Sequence, residues 1–394
     1  MEKLLLIGID TRSMLNSALK LNYDIYSVSY FSTYDTPTIK NQKIILNESN
    51  GESCGIFEDK FDSKTIIELS QDYIDETDYI IPISGILPYD FKKNDRKKIL
   101  GNKNTQDIEN KFKFYKRIKD EFLTPKTFYI KDDIDEAVEI SKNYPDNQFI
   151  LKPLQGSGGY NINLLNNKSS IEVNDNEFIM QEYVDGISLS SSLLSTKKDA
   201  KTLTNSRLLT INDFKNNNSF IYTGNILPLT DKSIMADIED ISKILEKMKF
   251  TSERLSEKFK LIGSNGVDYI LNKNGLYVIE INPRIQGTME CVEKAYGINM
   301  IEAHIKACQG KIIEIPEAKY YSYKKIIYSP NRNKYHPLDL DNIYDLPHIG
   351  SITEKGEPLL TIIDKDKNFE KLFKKVELTE EIVNKSSKKD QLNA

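Results

Sequence analysis

Tryptophan is absent from this 394-residue chain, and cysteine and histidine occur only three times each. Cys54, Cys291 and Cys308 have no paired spacing, which argues against a disulfide framework or a cysteine-built zinc site and fits a reducing cytoplasm. No cysteine has a plausible histidine partner in the sequence, so His304, His336 and His348 read as structural. Long apolar runs are missing too. The first, residues 4–9, stops at Asp10 without a cleavage site, and so reads as a buried strand rather than a signal peptide or membrane span. There is no Lys/Arg block with interleaved aromatics, and the formal net charge of −5 speaks against nucleic acid as the main partner. The expectation is a soluble cytoplasmic protein that attracts small molecules locally, with a homodimer as the default assembly.

What is present is an ordinary globular composition, 39% hydrophobic and 29% charged, on a chain too long for one core. Residues 1–104 alternate strand and helix patterns: strand 3–8, helix 13–21, strand 24–30, strands near 42–46 and 79–83, and a helix over 63–73. This predicts a small open, Rossmann-like parallel sheet. The loop 8–13 lies after a strand and before a helix, where open sheets bind ligands, but it lacks the second and third glycines of a dinucleotide fingerprint. Arg12 in that loop is the sole candidate there for holding an anionic substrate; the alternative is a surface arginine near a helix start.

Beyond residue 104 a helix capped by Thr105 or Asp107 runs toward Lys119, with Lys111 beside its apolar stripe. Residues 149–153 form a strand with a basic residue, Lys152, inside it, followed by Gln155-Gly156-Ser157-Gly158-Gly159-Tyr160. This loop has neither the Lys nor the following helix of a P-loop. It is either a hairpin turn with glycines for conformation or a mobile flap of N–H groups over phosphates, and Lys152 upstream favours phosphate. Residues 177–184 form an apolar strand against which an adenine could stack, with Glu182 or Asp185 within reach of a ribose; ordinary sheet core is the other reading. Strands over 193–209 and 220–227 are joined by an Asn-rich loop, 212–219, and helices are expected over 233–246, 252–259 and 288–310, the last interrupted at Gly297. Strands at 325–328 and 358–363 predict a small final sheet packed on the main body, and the Lys/Ser tail past Asn384 is expected to be disordered.

Residues 263–286 read as a hairpin: an apolar run 267–271, turn residues Asn272-Lys273-Asn274-Gly275, and a second run 276–282 closed by Pro283. If Lys273-Asn274-Gly275 form a three-residue loop, Asp268 lies opposite Glu280, and Asn282 shares their face. Opposed carboxylates repel unless a cation sits between them, and these hard oxygen donors suit Mg²⁺. The alternatives are a solvated sheet face, or a two-residue loop that slips the register and separates the acids.

Taken together, Lys111, the 149–153 strand with its glycine loop, Gln181-Glu182-Tyr183-Val184-Asp185-Gly186, Gly266-Val267-Asp268-Tyr269-Ile270 and Val278-Ile279-Glu280-Ile281-Asn282-Pro283-Arg284 resemble the ATP-grasp superfamily. The likeness is to its carboxylate-amine ligases and to biotin carboxylase-like and carbamoyl phosphate synthase-like proteins. The resemblance implies an α/β chain with an α+β ATP-grasp body. It comprises an N-terminal open parallel sheet domain (1–104), a lid with the glycine flap (105–182), an antiparallel-sheet metal and nucleotide part (183–319) and a C-terminal β module (320–384), leaving 385–394 as tail. It further implies ATP and Mg²⁺ as cofactors. Lys111, Lys152 and the flap residues Gln155, Gly156, Ser157, Gly158 and Gly159 would contact phosphates; Gln181, Glu182, Tyr183, Val184 and Asp185 would border the nucleoside. Asp268, Glu280 and Asn282 would bind metal, and Arg284 would face the transferred phosphate or substrate, with Lys152 as the second catalytic group. Many members carry Glu for the ribose where this chain has Ser188, which leaves that contact to Glu182 or Asp185. The implied reaction joins a carboxylate to an amine through an acylphosphate, giving amide, ADP and phosphate. Such chemistry needs positioning and charge neutralisation more than a nucleophile. The competing readings are phosphorylation or carboxylation without amide formation, and a non-catalytic nucleotide sensor.

Overall fold

The computed structural model describes all residues except 47–60, 84, 132–133, 157, 166–176, 212–219, 237–239 and 390–394. Cys54, Ser157 and the 212–219 loop therefore lie outside the described residues.

The N-terminal sheet has four parallel strands in the order Asn41–Ile44, Asp24–Ser29, Lys3–Gly8, Tyr79–Pro82. Its central strand carries Leu4, Leu5, Leu6 and Ile7, all fully buried, as expected of a parallel strand covered on both faces. Leu4, Leu6, Met14 and Leu15 pack with Met289, Val292, Ile301 and Ile305 of the helices Met289–Tyr296 and Met300–Cys308. The first sheet is thereby seated on the main body. The expected helix over 63–73 breaks at Ser70 into Ser63–Leu69 and Gln71–Glu76, with the Ser70 hydroxyl bonded to the Ile66 carbonyl.

A second, antiparallel sheet has the order Thr127–Lys131, Glu177–Glu182, Phe149–Pro153, Asn163–Leu164. One face packs on Ala137 of the helix Ile134–Lys142 through Ile130, Phe149, Leu151, Phe178 and Met180.

The third sheet has eight strands, running Gly275–Asn282, Gly263–Asn272, Ile187–Ser195, Ala200–Thr210, Tyr222–Leu227, Tyr321–Tyr328, Pro358–Asp366, Ile343–Tyr344. The expected separate final sheet is thus corrected: its main strands extend the sheet that carries the hairpin. The join needs a glycine. At Gly224 (φ 147°) a Cβ would lie 1.9 Å from the Lys324 carbonyl oxygen, so only a residue without one lets the two strands pair. The expected disorder past Asn384 is also corrected. The helix Phe369–Lys389 packs Leu372, Val376 and Val383 against this sheet and continues through residues assigned to the tail; 390–394 lie outside the described residues. In place of two helices over 233–246 and 252–259 there is one, Ile241–Phe259, capped by Asp240 on the Lys243 N–H and burying Met248, Leu255 and Phe259.

Candidate active site

The hairpin Gly263–Asn272 and Gly275–Asn282 turns on two residues, Lys273 and Asn274, with Asn272 paired to Gly275. The Asn272 side chain accepts the Asn274 N–H (2.8 Å), which favours this tight turn over the three-residue loop expected. A two-residue turn alone would separate the acids. One extra residue restores them: Tyr269 pairs with Val278 but Asp268 pairs with Glu280, leaving Ile279 as a bulge. Val278 and Ile281 then face the core while Glu280 and Asn282 face the other way with Asp268.

All three line a cavity of about 280 Å³ together with Lys111, Lys152, Gly156, Gly158, Gly159 and Arg284. Asp268 accepts the Ser190 hydroxyl (2.6 Å) and the Asn282 amide (2.8 Å). Burial first, and the facing Glu280 second, push its carboxyl well above the usual carboxylate range. Glu280 lies 3.7 Å from the Lys111 ammonium, which also donates to the Gly156 carbonyl (3.0 Å). Arg284 donates to the Asn282 side-chain oxygen Oδ1 at 3.3 Å. Two opposed carboxylates and an amide oxygen on one strand face make a hard donor set of the kind a divalent cation with phosphate co-ligands takes. No group of three or more His, Cys, Asp or Glu side chains able to hold a metal occurs among the described residues.

Lys152 explains itself as a basic residue in a buried strand. It is 7% exposed, its ammonium donates to Gln181 (2.8 Å), and Gln181 donates in turn to Thr127 (2.9 Å). Burial lowers its pKa to about 8, with Glu280 opposing and Lys111 adding to the shift. Its hydrogen-bond partner is a neutral amide, and it lines the cavity.

Lys111 is the first residue of a short helix, Lys111–Ile118, rather than one position along a continuous helix from Thr105. Asn110 breaks the run and caps the new helix through the Lys113 N–H (2.9 Å). The glycine loop is tied down at its far end, where the Tyr222 N–H donates to the Gly158 carbonyl (3.0 Å). At Gly159 (φ 79°) a Cβ would sit 1.9 Å from the Phe220 carbonyl oxygen, so this close approach also requires glycine. Gln155 reaches Tyr89 (3.4 Å) on the far side of the loop.

The hinge strand differs from expectation. The Glu182 carboxylate accepts from the Lys126 N–H (3.1 Å) and the Asn147 amide (2.7 Å), and the Tyr183 N–H donates to Gln148 (2.8 Å). Val184 is buried, and the Asp185 carbonyl takes the Asn272 amide (3.1 Å). Glu182 is thus turned onto its own sheet's edge, and neither it nor Asp185 is among the residues lining the cavity, whereas Ser188 is. Sequence reasoning passed over the serine strand Ile187–Ser195. Ser192 donates to Gln286 (2.8 Å), Gln286 to Ser190 (3.2 Å), and Ser190 to Asp268. Gly266 makes room for this chain, since a Cβ there would lie 1.7 Å from the Gln286 amide nitrogen. The signal was legible: Ser188, Ser190 and Ser192 are alternate positions of one strand and so share a face.

Arg12 is the clearest correction. It is 1% exposed and bidentate to Glu290 (2.8 and 2.9 Å), with Asp345 at 2.7 Å and Asp35 at 3.5 Å. It is neither a surface arginine nor a free anion holder. Those carboxylates raise its pKa, opposing burial, and it joins the first sheet to residues far along the chain. His304 and Cys308 do meet, at 3.6 Å, against the expectation of no partner. Burial lowers the imidazole to about 4 and raises the thiol to about 12, so the pair is held neutral.

The ATP-grasp domain family matches residues 108–288. An uncharacterised protein of Methanocaldococcus jannaschii is 30% identical over 373 residues, 92% of this chain and 88% of that protein. The tyramine–L-glutamate ligase of the same organism is 30% identical over 183 residues, 46% of this chain and 44% of that one. Among solved structures, N5-carboxyaminoimidazole ribonucleotide synthetase from Thermotoga maritima aligns with TM-score 0.71 at 17% identity, over 97% of this chain and 98% of the other. Biotin carboxylase from Campylobacter jejuni gives TM-score 0.71 at 15% identity over 96% and 90%. At those identities the structures speak for the fold. With the matched domain, the full-length relative and two lysines facing a carboxylate pair across one cavity, the chain belongs to the ATP-grasp superfamily.

Proposed function

We propose that this protein is an ATP-dependent ligase that activates a carboxylate as an acylphosphate and passes the acyl group to an amine. The observation that carries the reading is the meeting of Lys111 and Lys152 with Asp268, Glu280 and Asn282 on one cavity, although 171 positions separate the outermost pair by number. In this reading Asp268, Glu280 and Asn282 would hold Mg²⁺, which would supply positive charge to the nucleotide's phosphates. Lys152 and Lys111 hold phosphate oxygens, Lys152 leaving its amide partner for a charged one. Arg284, at the strand's end, steadies charge on the phosphoryl group in transfer. The glycine loop closes over the site and keeps water from an intermediate that hydrolyses readily. Ser188, on the cavity wall, takes the ribose contact in place of Glu182 or Asp185.

Support for ligation over phosphorylation or carboxylation comes from the tyramine–L-glutamate ligase, whose name describes joining an amine to an acid and which is 30% identical over 46% of this chain. The test is phosphate release from ATP with a library of acids and amines. The proposal expects release that needs both an acid and an amine. Turnover with no amine present rejects ligation, and ATP binding with no turnover in any combination favours a sensor.

A further inference from the structure

A second cavity, about 430 Å³, opens where the first sheet meets the eight-stranded one. Its first-sheet lining follows the strands Lys3–Gly8 and Asp24–Ser29, with Asp10, Arg12, Ser13, Phe31, Ser32 and Thr33, at the carboxyl end of the sheet, where open sheets take their ligands. Tyr160, at the end of the glycine loop, lines both this cavity and the nucleotide cavity. Whatever occupies the second is next to the first.

The lining is chemically one-sided. Its carboxylates are Asp10, Asp345 and Glu357, and its cations are Arg12 and Lys324. Both cations are already committed. Arg12 is held by Glu290 and Asp345 as described, and Lys324 lies 3.6 Å from Glu290 and donates to the Gly287 carbonyl (3.4 Å). His348, also on the wall, contacts the Ser32 carbonyl through Nε2 (2.9 Å). Glu357 accepts the Glu354 N–H (2.7 Å). Asp10 accepts the Arg12 backbone N–H (3.0 Å), while the Arg12 guanidinium, held by Glu290 and Asp345, acts on it only from beyond ion-pair distance. Burial and the neighbouring Asp345 raise its pKa, the mark of a carboxylate whose charge is poorly compensated. The rest of the wall is largely apolar, with Phe31, Ile326, Leu346, Pro347, Leu359 and Leu360.

We propose that this cavity is the acceptor-amine site, taking a primary ammonium against Asp10 with an apolar body along Phe31 and Leu346. An anionic or phosphorylated substrate would meet the Asp10 carboxylate and no uncommitted cation there, which costs affinity instead of supplying it. An ammonium meets the reverse. Its three N–H donors match the open oxygens of Asp10, and the apolar wall favours a hydrocarbon over a hydroxylated body. That the bound amine is an acceptor rests on the ligase reading; that the cavity binds amines does not.

The experiment is equilibrium binding to the full chain, by calorimetry or saturation-transfer NMR, of 2-phenylethylamine, 2-phenylethanol and 3-phenylpropionate, which share one body and differ in head charge. Saturable amine binding is expected, about tenfold or more tighter than the alcohol, with no saturable binding of the acid. Asp10→Asn should weaken the amine about tenfold and leave Mg-ATP binding unchanged, since asparagine still accepts the Arg12 N–H. Glu357→Gln should weaken it a few fold in the same way, as a check should the first variant fold poorly. Acid binding as tight as amine, or amine binding indifferent to both substitutions, overturns the proposal. Amine binding through Asp10 without phosphate release under any conditions keeps this site and removes the ligase reading. Ligation in the acid and amine library with no effect of Asp10→Asn on amine binding does the opposite.

Discussion

Two buried cations, Arg12 and Lys152, are almost equally hidden, at 1% and 7% exposure, yet their surroundings assign them opposite tasks. Arg12 has charged partners for its whole fork: both oxygens of Glu290 and one of Asp345, with Asp35 beside them. Asp35 in turn accepts the backbone N–H groups of Asp345 and Leu346 (3.1 and 2.8 Å), so the cluster pins three distant segments together. Lys152 has one neutral partner, Gln181, and faces a cavity whose opposite wall holds two repelling carboxylates. A cation saturated by carboxylates ties a fold together, whereas one left on an amide has binding capacity in reserve.

Breaking the first cluster should have the largest effect. Arg12→Met leaves Glu290, Asp345 and Asp35 with Lys324 as the remaining nearby cation and should cost roughly 3–5 kcal/mol in urea unfolding. A loss below about 1 kcal/mol would make the cluster incidental. Glu280→Gln, on the other side of the comparison, should lower kcat roughly 100-fold or more while the unfolding midpoint holds or rises, since it removes a repulsion with Asp268. Near-normal turnover would remove the metal assignment. Lys152→Ala should weaken ATP binding by roughly 10–100-fold.

The smallest effect is a pH dependence. Because the pKa of Lys152 falls to about 8 in the folded chain, below its unfolded value, the unfolded state binds the extra proton between that pH and the ordinary lysine range. Stability should therefore rise with pH across that window in metal-free, nucleotide-free protein, and Lys152→Met should be more stable than wild type below pH 8. ATP affinity should run the other way, declining as pH rises through about 8. A flat stability profile in wild type, or one unchanged by Lys152→Met, would show that the lysine is not held in the environment described.

The pairing of Asp268 with Glu280 was legible because a strand's two-residue period puts acids at predictable places once a turn is recognised. The route to it was not. The two-residue turn and the Ile279 bulge act in opposite senses, and nothing local in Val278-Ile279-Glu280 marks the extra residue. Lys152 and the glycine loop were legible as a basic residue where core belongs, followed by residues that core does not need. Glu182 was misread because its carboxylate answers to Lys126 and Asn147, whose arrival depends on how the small sheet pairs. Arg12 was beyond local reading altogether, since its partners Glu290 and Asp345 lie 278 and 333 positions away. The continuity of the eight-stranded sheet has the same character, turning on one glycine, Gly224, against a strand about a hundred residues later.

The most direct test of the shared cavity is calorimetric titration of ATP into the full chain with Mg²⁺, with EDTA, and again with Lys152→Ala. The account predicts saturable binding that needs Mg²⁺ and is weakened by the substitution. Equal binding with and without Mg²⁺, unchanged when Lys152 is removed, would contradict it.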